Sequence, residues 1–235
     1  MKRIAILQSN YLPWKGYFDL IASVDEFVLY DRVQYTRRDW RNRNKIKTAA
    51  GLRWLTVPVQ VKGRYLQAID ETQLVRQAAW ARKHLETIRR SYARAGAFAA
   101  EYPWLESVLD TAPRTTISAL NRHVIEAFCR RLGIATTIRS SSEFELADDP
   151  TDRLRWICQQ AGADEYVSGP AAKAYLQEEH LARHGITVRW KSYAGYPEYD
   201  QPHPPFEHRV SIVDTLMCTG NDAPRYISSA QAFES

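Results

Sequence analysis

Three groups of polar residues in this chain are spaced so that a fold can bring them to one edge. Gln8 and Asn10 follow the apolar run Ile4-Ala5-Ile6-Leu7, and Asp31, Gln34 and Tyr35 follow Phe27-Val28-Leu29-Tyr30. The second group is a basic, amide-rich stretch, Trp40-Arg41-Asn42-Arg43-Asn44-Lys45, in which arginine forks suit carboxylate or phosphate and Asn44 can hold a turn or meet a ligand. The third is a strand-to-helix turn, Ser168-Gly169-Pro170, with Lys173 close behind. Exposed amides and a positive helix end suit an anion there. Lys15, beside Gly16, adds a cation at an earlier turn of the same kind. The candidate substrate-binding residues are therefore Gln8, Asn10, Lys15, Gln34, Tyr35, Arg43, Asn44, Ser168, Gly169 and Lys173.

Residues suited to covalent or acid–base work are fewer: Cys158, His84 and Asp31. A cysteine nucleophile needs a thiolate, a base and an orienting group. Cys158 sits beside Trp156 and Ile157 in a helical pattern, where a buried structural thiol is the ordinary outcome, and Cys129 and Cys218 rank behind it. His84 is also helical, a setting where structural histidines outnumber catalytic ones. Zinc is disfavoured: His180 and His184 are four apart, but Leu-Ala-Arg lies between them and no acidic partner follows. No Walker loop, dinucleotide fingerprint or serine nucleophile elbow occurs, and His203 and His208 fall in a Pro-rich loop.

The pattern that must position these residues is strand, loop, helix, strand. In open α/β sheets ligands sit at the carboxyl ends of parallel strands, which is where Gln8, Asn10 and Asp31 fall. Pro13 stiffens the first loop, and Gly16 allows close backbone approach before the helix. The expected fold is α/β, a mainly parallel sheet with a Rossmann-like opening and an inserted helical cap. Arg32 to Lys47 reads as a substrate-binding loop and Arg53 to Val61 as a strand. A helix is expected from about Val75 to Tyr92, with an arginine face including Arg76 and Arg82, and two more near 98–111 and 115–132. Strands are expected at 134–140, 165–167 and 186–190, with a last helix near Ser211 to Cys218. Residues 1–220 read as one α/β domain with a helical insertion at about 75–133, and residues 221–235 as a tail that frays.

Composition bounds the partners. The 235 residues are 45% hydrophobic and 25% charged, ordinary values for a globular chain. No apolar run is long enough for a membrane span, the N-terminal run is too short for a signal sequence, and three cysteines without paired spacing fit a reducing compartment, so the expected location is cytoplasmic. A formal charge of +5 suits an anionic small molecule or a sugar-linked substrate. A nucleic-acid partner is disfavoured, since no recognised binding module is present. The oligomeric state is not legible.

The stretch from Gln8 to Lys47 resembles the WbqC-like family. So do WLTVPV (Trp54 to Val59), KHLETI (Lys83 to Ile88), Thr151 to Leu176, YPEYDQ and FEHRVSIVDTL (Tyr196 to Leu216). His84 and Cys158 lie in two of these pieces. The resemblance runs to about Gly220 and implies a setting in bacterial surface-polysaccharide or specialised-metabolite biosynthesis. The opening is also similar to that of nucleotidyltransferase-like enzymes, pantothenate synthetases among them, where two histidines near the glycine contact ATP phosphates. Here that place reads Trp14-Lys15-Gly16-Tyr17. The sequence requires no cofactor; ATP is the candidate, and the missing histidines count against it. Three readings follow: an enzyme forming or transferring an acyl or aminoacyl amide or ester on an amino sugar or related metabolite; a cysteine-dependent hydrolase of such bonds; and a non-catalytic nucleotide- or sugar-binding protein.

Overall fold

The computed structural model describes residues 1–75 and 78–234, with the side chains of 150 and 151 set aside. β1 (Arg3–Leu7) leads through a loop into α1 (Lys15–Ala22) and β2 (Glu26–Leu29). An antiparallel hairpin follows, β3 (Arg43–Thr48) and β4 (Gly51–Thr56), and then α2 (Trp80–Tyr92), α3 (Phe98–Asp110) and α4 (Ile117–Arg131). The chain then runs through β5 (Thr137–Ser140), α5 (Pro150–Gln160), β6 (Glu165–Ser168), α6 (Glu178–Ala182) and β7 (Thr187–Trp190), and ends with α7 (Ile212–Thr219) and α8 (Ala223–Ile227). Arg76, and with it the expected start of α2 near Val75, lies outside the described residues.

Five strands pair in parallel in the order β5-β2-β1-β6-β7. The expected parallel α/β architecture is present, and the chain winds outward from β1 in both directions. The order therefore reverses between β1 and β6, and a crevice opens there beyond the carboxyl ends. Alternation along the strands divides the core. Ala5, Phe27 and Leu29 face α1 and α4, where Phe18 and Phe128 pack, while Ile4, Ile6 and Val28 face α5 and α6 with Ile157, Tyr166 and Leu181.

Two expectations need correction. The segment Arg32 to Lys47 is not all loop: RNKIKT is polar enough to hide a strand, yet β3 pairs residue for residue with β4 from Arg43–Thr56 to Thr48–Gly51. The tail is not without structure. After α8 it returns along the free side of the edge strand β7, where Phe233 bridges Lys191 and the Glu234 N–H donates to the Trp190 carbonyl at 2.9 Å. Arg3 and Arg189 lie over the Phe233 ring at 5.6 and 5.3 Å, so an aromatic anchor holds it. Among the described residues, no helix is long and apolar enough to cross a membrane.

Candidate functional site at the carboxyl edge

The loop leaving β1 is held from three sides. The Ser9 N–H donates to Asp31 Oδ1 at 2.8 Å, the Ser118 hydroxyl to Asp31 Oδ2, and the Asn121 amide to Ser9 Oγ at 3.0 Å and to the Arg41 carbonyl at 2.8 Å. Asp31 is 1% exposed, and both its oxygens accept bonds that tie β1 to β2 and α4. It braces the loop. Asn44 holds the other half of the loop: its amide donates to the Leu12 carbonyl at 2.9 Å and the Tyr11 carbonyl at 3.3 Å. Leu12 needs this support, because its φ of 43° is left-handed and costs a non-glycine residue about 1–3 kcal/mol. The Tyr11 hydroxyl meets His84 Nδ1 at 2.9 Å, and the other ring nitrogen is left for the Thr56 carbonyl. Burial lowers His84 to about 4, which favours its neutral form, and its Nδ1 is engaged by Tyr11.

On the α1 side this loop walls a pocket of about 320 Å³ lined by Asn10, Trp14, Trp40, Asn44, Lys45 and Arg209. Trp14 folds back over Gly16, where a Cβ would sit 2.3 Å from the indole. The close approach that Gly16 permits is thus made by the protein's own ring. Trp40 lies 5.3 Å from Trp54, Arg43 covers the Trp54 face at 4.1 Å, and Lys45 Nζ stands 5.0 Å from Trp54 and 5.8 Å from Trp40. Such cation–π contacts contribute about 0.5–1 kcal/mol each when exposed. Asn10 Oδ1 is buried and has no hydrogen-bond partner among the described residues.

On the opposite side of the sheet a second pocket, of about 540 Å³, opens beside Gln8. Ile6, Leu7 and Tyr166 form part of its wall, and Tyr30, Arg153, Tyr175 and Gln177 complete its polar lining.

Comparison with known proteins places the chain. The sequence pattern of the WbqC-like protein family matches residues 8–226, from the first residue past β1 into α8. The chain belongs to that family. It is also 50% identical over 227 residues, 97% of this chain and 98% of the other, to "Uncharacterized protein Rv1507c" of Mycobacterium tuberculosis. No solved structure matches it.

The remaining expected residues of this WbqC-like chain scatter. Lys15 is 1% exposed and faces an aromatic cage instead of an anion: Nζ lies 5.0 Å from the Tyr196 ring centre, 5.5 Å from Tyr199 and 5.6 Å from Phe206. Burial lowers it to about 8. Gln34 donates to the Tyr65 carbonyl at 2.9 Å, and the Tyr35 N–H to the Gln67 carbonyl at 2.9 Å, so both pin their segment to a neighbouring one. Burial raises the Tyr35 phenol to about 12. Arg43 donates to the Arg38 carbonyl and stacks on Trp54, next to the first pocket but outside its lining. The buried Ser168 hydroxyl bonds the Tyr166 phenol, and a Cβ on Gly169 would meet the Tyr193 hydroxyl at 3.2 Å. Lys173 pairs with Glu234 of the tail. The Ser168–Lys173 turn therefore packs against its own chain. Cys158 is fully buried among Ile4, Ile157 and Leu181, and burial pushes its thiol up to about 12, the reverse of an activated nucleophile.

Arg209, Arg153, Tyr30 and Tyr175 line the pockets without having been singled out in the sequence. Arg209 is delivered by the 193–209 segment, which two buried carboxylates anchor. Asp214 accepts from Tyr199 at 2.6 Å and from Tyr92 and Gln201 at 2.7 Å, and Asp19 pairs with Lys191 at 2.8 Å and accepts from the Tyr196 hydroxyl at 2.7 Å. The motif pair YPEYDQ and FEHRVSIVDTL carries Tyr196, Tyr199, Gln201, Arg209 and Asp214 together, a signal for a clamped segment.

Proposed function

We propose that this chain is a group-transfer enzyme that forms an acyl or aminoacyl amide or ester on an amino sugar or related metabolite carrying an anionic group. The setting is surface-polysaccharide or specialised-metabolite biosynthesis, and the α1-side pocket holds the acceptor. The unpartnered Asn10 Oδ1 carries this reading. Asn10 lines the pocket with the indoles of Trp14 and Trp40 and the charges of Lys45 and Arg209, and its Oδ1 is a buried acceptor without a partner among the described residues. Sugar C–H faces stack on indoles, a hydroxyl or amine donates to Asn10, and phosphate or carboxylate meets the cations. In the reaction, the acceptor's amine or hydroxyl attacks the carbonyl of an activated acyl donor. A C–N or C–O bond forms as the bond to the leaving group breaks, and the acceptor's proton passes to solvent or to that leaving group. Holding the two groups together supplies much of the acceleration such a step needs.

Titration calorimetry with nucleotide-linked amino sugars tests the pocket, and mass analysis after adding a thioester donor tests the transfer. Arg209→Ala and Trp40→Ala should each weaken binding by about tenfold or more. Binding that is indifferent to both variants sinks the assignment. The non-catalytic reading has its own support, since none of Cys158, His84 and Asp31 reaches the pocket lining. Tight binding with no new bond in any donor mixture would favour it. The cysteine-hydrolase reading has no support from a fully buried thiol.

A further inference from the structure

We infer that the pocket on the α5 side of the sheet binds a nucleoside phosphate and is the second substrate site of this chain; this rests on the group-transfer reading above. Its place is the crevice where the strand order reverses, between β1 and β6 at their carboxyl ends, the position in doubly wound sheets where ligands bind. Its volume of about 540 Å³ exceeds that of the acceptor pocket and falls within the range of sites for ligands of this size.

The walls match the two ends of such a molecule. Arg153 supplies the charge. Its guanidinium is held by neutral partners, the Ala147 carbonyl at 2.7 Å and the Asp148 carbonyl at 3.1 Å, and stands near the Tyr30 phenol. The neighbouring Asp152 is engaged elsewhere, with Arg155 at 2.8 Å and His180 at 2.9 Å. A positive charge fixed in this way, with no ion pair among the described residues, is ready for phosphate. Tyr175 supplies the stacking surface: it lines the pocket yet is 72% exposed, an aromatic face left uncovered by its own chain. Base–aromatic stacking suits such a face whichever base is present. The location also explains why two pockets are needed. Gln8 lines this one and Asn10 the other, two residues apart on one loop and so about 7 Å apart in an extended chain. A ligand in each pocket would thus touch the same loop, from its two sides.

The experiment is titration calorimetry on the full chain with ATP–magnesium, with UDP and with a UDP-linked amino sugar, in the unaltered protein and in Arg153→Gln, Tyr175→Ala, Tyr175→Phe and Trp40→Ala. Melting curves check that each variant folds. Binding of at least one nucleotide is expected. Arg153→Gln and Tyr175→Ala should each weaken it about tenfold or more, Tyr175→Phe should keep it, and Trp40→Ala should leave the affinity for free ATP or UDP within about twofold. Competition between the free nucleotide and the nucleotide-linked sugar would assign this pocket to the nucleotide half of one substrate. Simultaneous binding of the two would assign it to a separate donor. Free-nucleotide affinity unchanged in Arg153→Gln and Tyr175→Ala, or lost in Trp40→Ala, overturns the inference. So does the failure of every nucleotide to bind, and if the Trp40-dependent sugar affinity survives, the acceptor reading stands without it.

Discussion

The two edges of the central sheet handle polar groups in opposite ways. At the amino edge each buried carboxylate is matched: Glu26 by Lys2 at 2.7 Å and Arg139 at 3.2 Å, Glu165 by Arg3 at 2.9 Å and Arg189 at 3.8 Å. Asp25 and Asp164 accept the Arg3 and Lys2 N–H groups, both at 2.7 Å, and so tie down the first residues of the chain. At the carboxyl edge Asp31 and Asn44 are equally well matched, but other groups are not, the Oδ1 of the bracing Asn121 among them. Asn10 Oδ1 has no partner, and Arg41, 7% exposed, keeps Nε and Nη1 without a hydrogen bond among the described residues, with Asp39 at 3.7 Å. A buried polar atom left unpaired costs about 1–3 kcal/mol. One edge is closed for stability. The other is braced by Asp31 and Asn44 and keeps donors and acceptors unpaired among the described residues.

The largest expected effect contrasts ion pairs across the sheet. Lys191 and Asp19 are both buried, so Lys191→Met strands a carboxylate in the interior and should lower stability by about 3–5 kcal/mol. Arg3→Met at the amino edge removes a partly exposed arginine from a glutamate that retains Arg189, and should cost about 1 kcal/mol or less. Urea midpoints at a common slope measure both. Equal losses would mean that the edges do not differ in this way.

Next in size is a pH effect. The neutral form of His84 is favoured in the fold, with its pKa lowered from 6.5 to about 4, so the unfolded chain takes up the proton first as pH falls. Stability from this group is full above about pH 6.5 and is lost as pH drops toward 4, where the loss reaches about 3 kcal/mol. His84→Gln should flatten that part of the profile. An unchanged profile would show that the ring is not held neutral by burial, and would return it to the list of titrating site residues.

Much of this contrast was legible in the sequence, and the gaps have physical causes. Apolar runs ending in Gln8 and Asp31 located the carboxyl edge, because a buried parallel strand announces itself through Ile, Val, Leu and Phe. The sequence could not tell which polar residues at that edge serve ligand and which serve structure. Asp31 and Lys15 lie at the expected places, yet Ser9, Ser118 and the rings of Tyr196, Tyr199 and Phe206 enclose them from distant parts of the chain. β3 was hidden because its pairing with β4, not its own residue types, makes it a strand. Arg209 sits past a Pro-rich run with no periodicity, and only the clamp through Asp214 and Asp19 brings it to Trp14 and Lys45.

The smallest effect on stability is the sharpest test of the comparison, and it pairs two asparagines of one pocket. Asn44→Ala removes three hydrogen bonds, to the carbonyls of Tyr11 and Leu12 and from the Lys45 N–H, and frees a left-handed leucine, so it should cost about 2–3 kcal/mol. Asn10→Ala removes an acceptor that nothing satisfies and should leave stability within about 0.5 kcal/mol or raise it slightly. For ligand the order reverses in kind: Asn10→Ala should weaken amino-sugar binding about tenfold in a protein that melts normally. If Asn10→Ala destabilises as much as Asn44→Ala, then Asn10 is bonded in solution and the carboxyl edge is as closed as the amino edge. If stability holds and affinity falls, the unpaired oxygen belongs to the ligand, and the division between bracing and binding residues along a single loop is established.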